Sequence, residues 1–235
     1  MTPDVQSAIR DNLSLARDRI VAAARRSGRD PSSIRLVSVG KTHPAQVLQM
    51  AVDAGARIIG ENYIQEARAK FDALIHCPAA WHFIGHLQRN KAKYAVRIFD
   101  LIHTVDSLKL ASELDRQAGN AGKVQELLVQ VNISGEATKS GVSPENAQRL
   151  LEALGRLEHV HVRGLMTMPP FFNQPEMARP YFAALRKLRD RLEARDIPGI
   201  ELHELSMGMS GDFEVAIEEG ATLVRIGTLI FGGRS

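Results

Sequence analysis

The sequence predicts an α/β fold: a single closed (β/α)8 TIM-type barrel spanning residues 1–235, with an additional helix at its N-terminus. Three observations predict it. Eight short strand-like runs alternate with helical patterns, and that alternation implies a parallel sheet. A chain of 235 residues accommodates eight such units as one domain. No Pro/Ser-rich linker, internal repeat or low-complexity segment divides it. An open doubly wound sheet is the competing arrangement of the same elements.

Val5, Ile9, Leu13, Ala16 and Ile20 recur at helical spacing and predict an amphipathic helix over residues 4–27, stopping before Gly28. This helix would supply the eighth outer helix from the opposite end of the chain. Strands are predicted at 34–39, 57–60, 81–85, 101–105, 125–131, 161–166, 201–205 and 222–226. Helices are predicted between them at 44–54, 64–74, 88–96, 108–118, 144–157, 177–195 and 212–219. Pro44 after Thr42-His43, and Ser143 before Pro144-Glu145, mark helix starts. Gly55, Gly119 and Gly220 mark helix ends.

Composition excludes several function classes. Apolar residues make up 44 % and aromatics 5 %, which gives a large aliphatic core. Thirty basic against 27 acidic residues leave a net charge of +3, too little for a nucleic-acid surface. Arg25-Arg26 and Arg186-Lys187-Leu188-Arg189 read as solvated helix faces, so no nucleic-acid partner is expected. No stretch approaches the roughly 18 apolar residues of a membrane span. The opening Met-Thr-Pro-Asp-Val-Gln lacks the apolar segment of a secretion signal. A cytoplasmic location without a membrane partner is therefore expected. Cys77 is the one cysteine, so no intrachain disulfide can form.

In a barrel of this type, chemistry gathers at the C-terminal strand ends, with phosphate bound after the seventh and eighth strands. Lys41 closes the apolar run Leu36-Val-Ser-Val-Gly-Lys-Thr42. Desolvation there would lower its pKa, and a neutral amine attacks an aldehyde. Ser210, in Leu205-Ser-Met-Gly-Met-Ser-Gly-Asp212, precedes a helix whose first N–H groups would face an anion. Gly227 and Thr228 add two N–H groups after the eighth strand. Together these predict a phosphate cup facing a Schiff-base lysine. Arg225 either pairs with a carboxylate, Glu204 or Glu214, or faces the ring nitrogen of a pyridine cofactor. His82 and His86 would sit roughly 13 Å apart on a strand, which argues against a shared metal. His43, His103 and His203 read as scattered structural residues. Gly227–Gly232 does not open a βαβ unit, so a dinucleotide site is not expected.

At these residues the chain resembles the pyridoxal phosphate homeostasis proteins, the YggS/PROSC family, along nearly its whole length. The matching segments are Val37-Ser-Val-Gly-Lys-Thr42, Gly60-Glu-Asn-Tyr-Ile-Gln-Glu66, Trp81 to Lys91, Gln130-Val-Asn-Ile-Ser134, Lys139-Ser-Gly141 and Arg163-Gly-Leu-Met166. Ser206-Met-Gly-Met-Ser-Gly-Asp212, Val224-Arg-Ile-Gly-Thr228 and Phe231-Gly232 complete the set. The resemblance implies a barrel like the N-terminal domain of alanine racemase. It implies pyridoxal 5′-phosphate held as an aldimine on Lys41. It places Ser210, Gly227 and Thr228 at the phosphate, Arg225 at the ring nitrogen and Asn62 in the loop lining the site. Gly40 stands where the family has serine, His86 where it has proline, and Leu229 where it has alanine. Gly40 and His86 are expected to alter the mouth of the site.

The racemases that the chain resembles draw a second acid/base group, a tyrosine, from an additional C-terminal domain. The sequence ends at Ser235, so the expectation is a non-catalytic protein that buffers the cofactor or delivers it to pyridoxal phosphate-dependent apo-enzymes. A monomer is expected. A weak racemase or related amino-acid enzyme is the alternative. A sugar-phosphate enzyme forming a substrate Schiff base on Lys41 is the third reading.

Overall fold

In the computed structural model, residues 3–136 and 138–233 are described. Eight parallel strands close into a barrel in sequence order. They are β1 (Arg35–Val39), β2 (Ile58–Glu61), β3 (Ala80–Phe83), β4 (Leu101–Val105), β5 (Gln125–Gln130), β6 (Val160–Met166), β7 (Ile200–Met209) and β8 (Leu223–Ile226). The helices are α1 (Pro3–Arg26), α2 (Ala45–Asp53), α3 (Ile64–Ala73), α4 (Ala92–Ile98), α5 (Leu108–Asn120), α6 (Pro144–Leu154), α7 (Arg179–Glu193), α8 (Phe213–Glu218) and α9 (Thr228–Phe231). The closed barrel replaces the open-sheet alternative, and each expected strand is present. The reading that hinged on Ser235 lies outside the described residues.

Closure rests on β1 pairing with both β2 and β8. Helices cover the outer face of the sheet, so the strands are buried on both faces and read as continuous apolar runs. Inside the barrel, Val37, Ile58, Leu101, Leu128, Met166 and Leu223 form a small apolar layer. Two residues further along four strands, the inner face turns to Val39, His103, Gln130 and Arg225. The barrel floor is therefore apolar and its upper layer polar. The second, larger core lies between the strands and the helices, and includes Leu48, Phe99, Leu114, Leu151, Phe182 and Phe213.

α1 fills the outer face where β8 meets β1. Its buried stripe of Ile9, Leu13, Ala16, Ile20 and Ala23 packs against α2, α8 and α9. Arg19 grips Glu214 of α8 through two hydrogen bonds of 2.8 Å each. The N-terminal helix thus covers the seam, as its amphipathic pattern predicts.

Three details differ from expectation. α5 runs through Gly119 to Asn120 instead of stopping at it. A Cβ on Gly119 would meet the His159 ring at 3.1 Å, so the glycine serves a close approach. β7 extends to Met209, past the small residues that read as a loop. Gly208 makes this possible: its φ is +90°, and a Cβ there would lie 2.6 Å from the Ala216 Cβ. The register between β7 and β8 shifts at this stretch and aims Met209 and Ser210 at the barrel mouth. α9 escapes sequence reading because it is four residues without a capping side chain. Ser143 does precede α6, but its hydroxyl accepts from the Asn146 side chain at 3.0 Å and does not cap the helix.

Truncating the fully buried Leu13 of α1 to alanine should cost about 2–5 kcal/mol. Denaturant unfolding measures this; a loss below that range would show that α1 is dispensable to the barrel.

Candidate functional site

The C-terminal strand ends open on a cavity of about 490 Å³. All six residues singled out from the sequence line it: Lys41 after β1, Asn62 after β2, Ser210 after β7, Arg225 on β8, and Gly227 and Thr228 after β8. Parallel closure of β1 on β8 brings the lysine and the glycine turn to one mouth.

Ser210 Oγ accepts the Gly227 N–H at 3.3 Å and the Leu229 N–H at 3.4 Å. These amide groups come from the turn into α9, where the Gly227 N–H was expected, and not from the opening of α8. At α8, Asp212 Oδ1 accepts the Met209 N–H at 2.6 Å and closes that turn itself. The Gly227 and Leu229 N–H groups and the Ser210 hydroxyl thus converge at the edge of the cavity, a grouping of donors suited to an anion. Gly227 also allows close packing there, since a Cβ would lie 3.2 Å from the Val39 carbonyl oxygen.

Arg225 is buried and bonds neither of the carboxylates considered for it. Glu204 pairs with Arg35 at 2.7 Å, and Glu214 pairs with Arg19. The Arg225 guanidinium instead donates Nη1 to Ser206 Oγ at 2.5 Å and Nη2 to the Thr167 carbonyl at 3.0 Å. Burial lowers its pKa to about 10, and nearby Asp212 opposes that shift. The Asp212 carboxyl is itself pushed up by burial.

A buried relay continues behind Ser206. His103 Nδ1 lies 2.8 Å from Ser206 Oγ, and His103 Nε2 lies 3.0 Å from His82 Nδ1. The Ser206 oxygen accepts from Arg225, so its single proton points at His103 Nδ1. His103 then carries its proton on Nε2 and donates to His82. Burial, followed by the positive charge of Arg35, lowers the His82 pKa to about 3. Burial holds His103 well below the usual imidazole range, and His82, Arg225 and Arg35 add to the effect. Both rings are neutral at pH 7. His103 is therefore no scattered residue; strand spacing showed which face it occupies, but not that β3, β4 and β7 converge. Among the described residues, no group of three His, Cys, Asp or Glu could hold a metal.

Asn62 Oδ1 is buried without a hydrogen-bond partner, an uncommon state that a ligand donor would relieve. Gly85 lets the Asn62 loop approach β3: a Cβ on Gly85 would sit 2.1 Å from the Asn62 carbonyl oxygen. The cavity wall also includes His43, Asp212, Met168, Phe171 and Phe172, which the sequence reading did not select. The apolar residues within 168–172, beyond β6, were their sequence signal. Gly40 lies close to α2, where a Cβ would meet the Leu48 side chain at 2.8 Å. His86 lines a neighbouring cavity of about 300 Å³ and lies 3.4 Å from Ser140 Oγ.

Residues 7–235 match the family described as alanine racemase, N-terminal domain. The pyridoxal phosphate homeostasis protein of Aquifex aeolicus is 47 % identical over 224 residues, covering 95 % of this chain and 97 % of that protein. A crystal structure of an unknown protein from Bifidobacterium adolescentis superposes with a TM-score of 0.94 at 38 % identity, covering 98 % of this chain and 97 % of that one. The structure of PipY from Synechococcus elongatus with PLP bound has a TM-score of 0.81 at 41 % identity, covering 92 % of this chain and 99 % of that one.

The relay also fixes a pH dependence. His82 falls from an ordinary 6.5 to about 3 in the fold, so only the unfolded chain gains its proton between those values. Stability from this group is present above pH 6.5 and lost as pH falls, by about 2 kcal/mol at pH 5. Glu61, raised to about 6 by burial, acts in the opposite direction as pH falls through 6. Denaturant titrations at pH 7 and pH 5 should show a drop that is about 2 kcal/mol smaller in His82→Gln. Equal drops in the two proteins would contradict a neutral His82.

Proposed function

This chain belongs to the alanine racemase N-terminal-domain family, among the pyridoxal phosphate homeostasis proteins, and from that premise we propose that it binds pyridoxal 5′-phosphate and buffers or delivers it. One observation carries the reading: Lys41, the Ser210–Gly227–Thr228 cup and Arg225 all line a single cavity. The residues fit the group. The Gly227 and Leu229 N–H groups, which meet at Ser210 Oγ, and the Ser210 hydroxyl would turn to the phosphate, and the unpartnered Asn62 oxygen would accept from the ligand. When bound, the cofactor supplies an electrophilic aldehyde and a ring that can delocalise electrons. Lys41 would hold the group through its primary amine, the one such nucleophile among the residues that line the cavity.

Arg225 sets the character of the site. Its partners Ser206 and Thr167 are neutral, so its charge is available to the ring nitrogen. A guanidinium hands over no proton, whereas a carboxylate would keep that nitrogen protonated and make the ring a strong electron sink. None of Tyr63, Tyr94 and Tyr181 lines the cavity, so none supplies the racemase-type second base. These features favour holding the cofactor over turnover. Apo-enzymes that require the cofactor are its recipients. The barrel is proposed to act as a monomer. Among the described residues, no helix is long and apolar enough to cross a membrane.

A weak amino-acid racemase is the second reading, favoured by two titratable groups, His43 and Asp212, in the same cavity wall. Turnover of an amino-acid panel that is lost in Lys41→Ala would establish it over the carrier. Adding the cofactor to purified protein should produce the visible absorption band of a Schiff base, absent in Lys41→Ala; its absence from the wild type sinks both cofactor readings. Ser210→Ala should weaken cofactor retention about tenfold by losing one hydrogen bond to the phosphate. Unchanged retention would remove Ser210 from the cup.

A further inference from the structure

The two peptide groups flanking Lys41 are each held by a charged side chain of α3. Lys70 Nζ donates to the Gly40 carbonyl at 3.0 Å. The Glu66 carboxylate accepts the Thr42 N–H at 3.0 Å. The two side chains lie one helical turn apart and meet at 3.3 Å. Lys70 also donates to Glu61 Oε1 at 2.8 Å, which accounts for all three of its protons. The residues before and after Lys41 are thus fixed from one helix face.

The backbone within this grip is strained. Thr42 has a φ of +68°, a left-handed conformation that costs a β-branched residue about 1–2 kcal/mol. Such a conformation persists where its surroundings over-determine it. Here the Glu66 bond holds the Thr42 amide, and Gly40 accepts the His43 N–H at 3.2 Å to close the turn.

Stability does not account for the cluster. Lys70 is 7 % exposed and Glu61 fully buried, and a buried ion pair is often matched or bettered by apolar residues of similar size. Glu61 Oε2 is left without a partner as well. The fold therefore keeps a costly ion pair directly behind the loop that presents Lys41.

We propose that Lys70 and Glu66 form a clamp that positions the Lys41 amine for condensation with the aldehyde. The proposal rests on the reading that Lys41 forms the Schiff base. Lys70 and Glu66 act through the backbone of residues 40–42 and are positioning residues. Glu61 anchors the Lys70 ammonium from β2.

Two readouts on the full chain separate positioning from a general structural role. One is the rate of Schiff-base formation with pyridoxal 5′-phosphate, followed by visible absorbance. The other is the affinity for pyridoxine 5′-phosphate, which carries ring and phosphate but no aldehyde, measured by calorimetry. Lys70→Met and Glu66→Ala should slow Schiff-base formation on the order of tenfold to a hundredfold, with pyridoxine 5′-phosphate affinity unchanged. Glu66→Gln, which keeps an acceptor oxygen for Thr42, should retain most of the wild-type rate. If Lys70→Met does not fold, the half-exposed Glu66 position carries the comparison. Unchanged rates in the folded variants, or rate and affinity falling together, overturn the clamp alone. A wild type that binds pyridoxine 5′-phosphate yet forms no Schiff base overturns the Lys41 reading, and the clamp with it.

Discussion

Four residue pairs join β1 to β8, from Arg35 opposite Leu223 to Ser38 opposite Ile226. Every feature of the site depends on that contact. It sets Val37 beside Arg225, so segments near opposite ends of the chain become neighbours. Because the pairing is parallel, Lys41 and the Gly227-Thr228 turn emerge at the same mouth. No local preference produces this arrangement; it follows only when the sheet has closed through all eight strands. α1 secures the seam from outside, where Arg19 holds Glu214 and the Ile9–Ile20 stripe packs on α2, α8 and α9. The outermost segments of the sequence thus build both halves of the site and the cover over their junction.

Closure also determines the medium in which Arg225 sits. Below it lies the apolar layer of Val37, Leu128, Met166 and Leu223. Beside it lie Ser206, His103 and His82, a chain of neutral groups. A guanidinium in such a place would usually recruit a carboxylate, since an uncompensated buried charge is costly. This one is satisfied by a hydroxyl and a carbonyl, with Asp212 acting only at longer range. The charge is therefore less neutralised locally than an ion pair would leave it, and it borders the cavity. A neutral relay is what permits that. Were His82 and His103 at their ordinary pKa, each could carry a proton at mildly acidic pH and repel Arg225.

Much of this was legible in the sequence, and what was not has a physical cause. The eight strands show as apolar runs because both faces of the sheet are covered, and Lys41 stands out because it ends such a run. Ser210, Gly227 and Thr228 were identifiable as small residues at strand ends. Their actual bonding was not, since it depends on the register shift at Gly208 and on the four-residue α9, neither of which leaves a periodic trace. Gly119 misled because a glycine that ends a helix and one that admits a neighbouring ring look alike in one dimension. His103 looked isolated because its partners lie on β3 and β7. Lys70 and Glu66 were not singled out in the sequence. Periodicity gives the face of α3 they occupy, but not the peptide groups they meet.

Among the described residues, the buried titratable side chains are Glu61, Lys70, His82, His103 and Arg225. Burying the charges of Lys70 and Arg225 is costly, while His82 and His103 escape that cost at pH 7 by staying neutral. Many other ion pairs lie on the surface, such as Arg116 with Glu113 and Arg179 with Glu176, where pairing contributes little. If the buried groups served packing or fold specificity alone, they would be expected throughout the helix–strand core. Only the Glu61–Lys70 pair lies in that layer, at the edge beside Lys41. Glu61 and Lys70 back the Lys41 loop, Arg225 forms part of the cavity wall, and the two histidines stand in line behind it through Ser206. The large aliphatic core carries that destabilisation from elsewhere in the barrel, and it does so at one end only, around one amine and one anion cup.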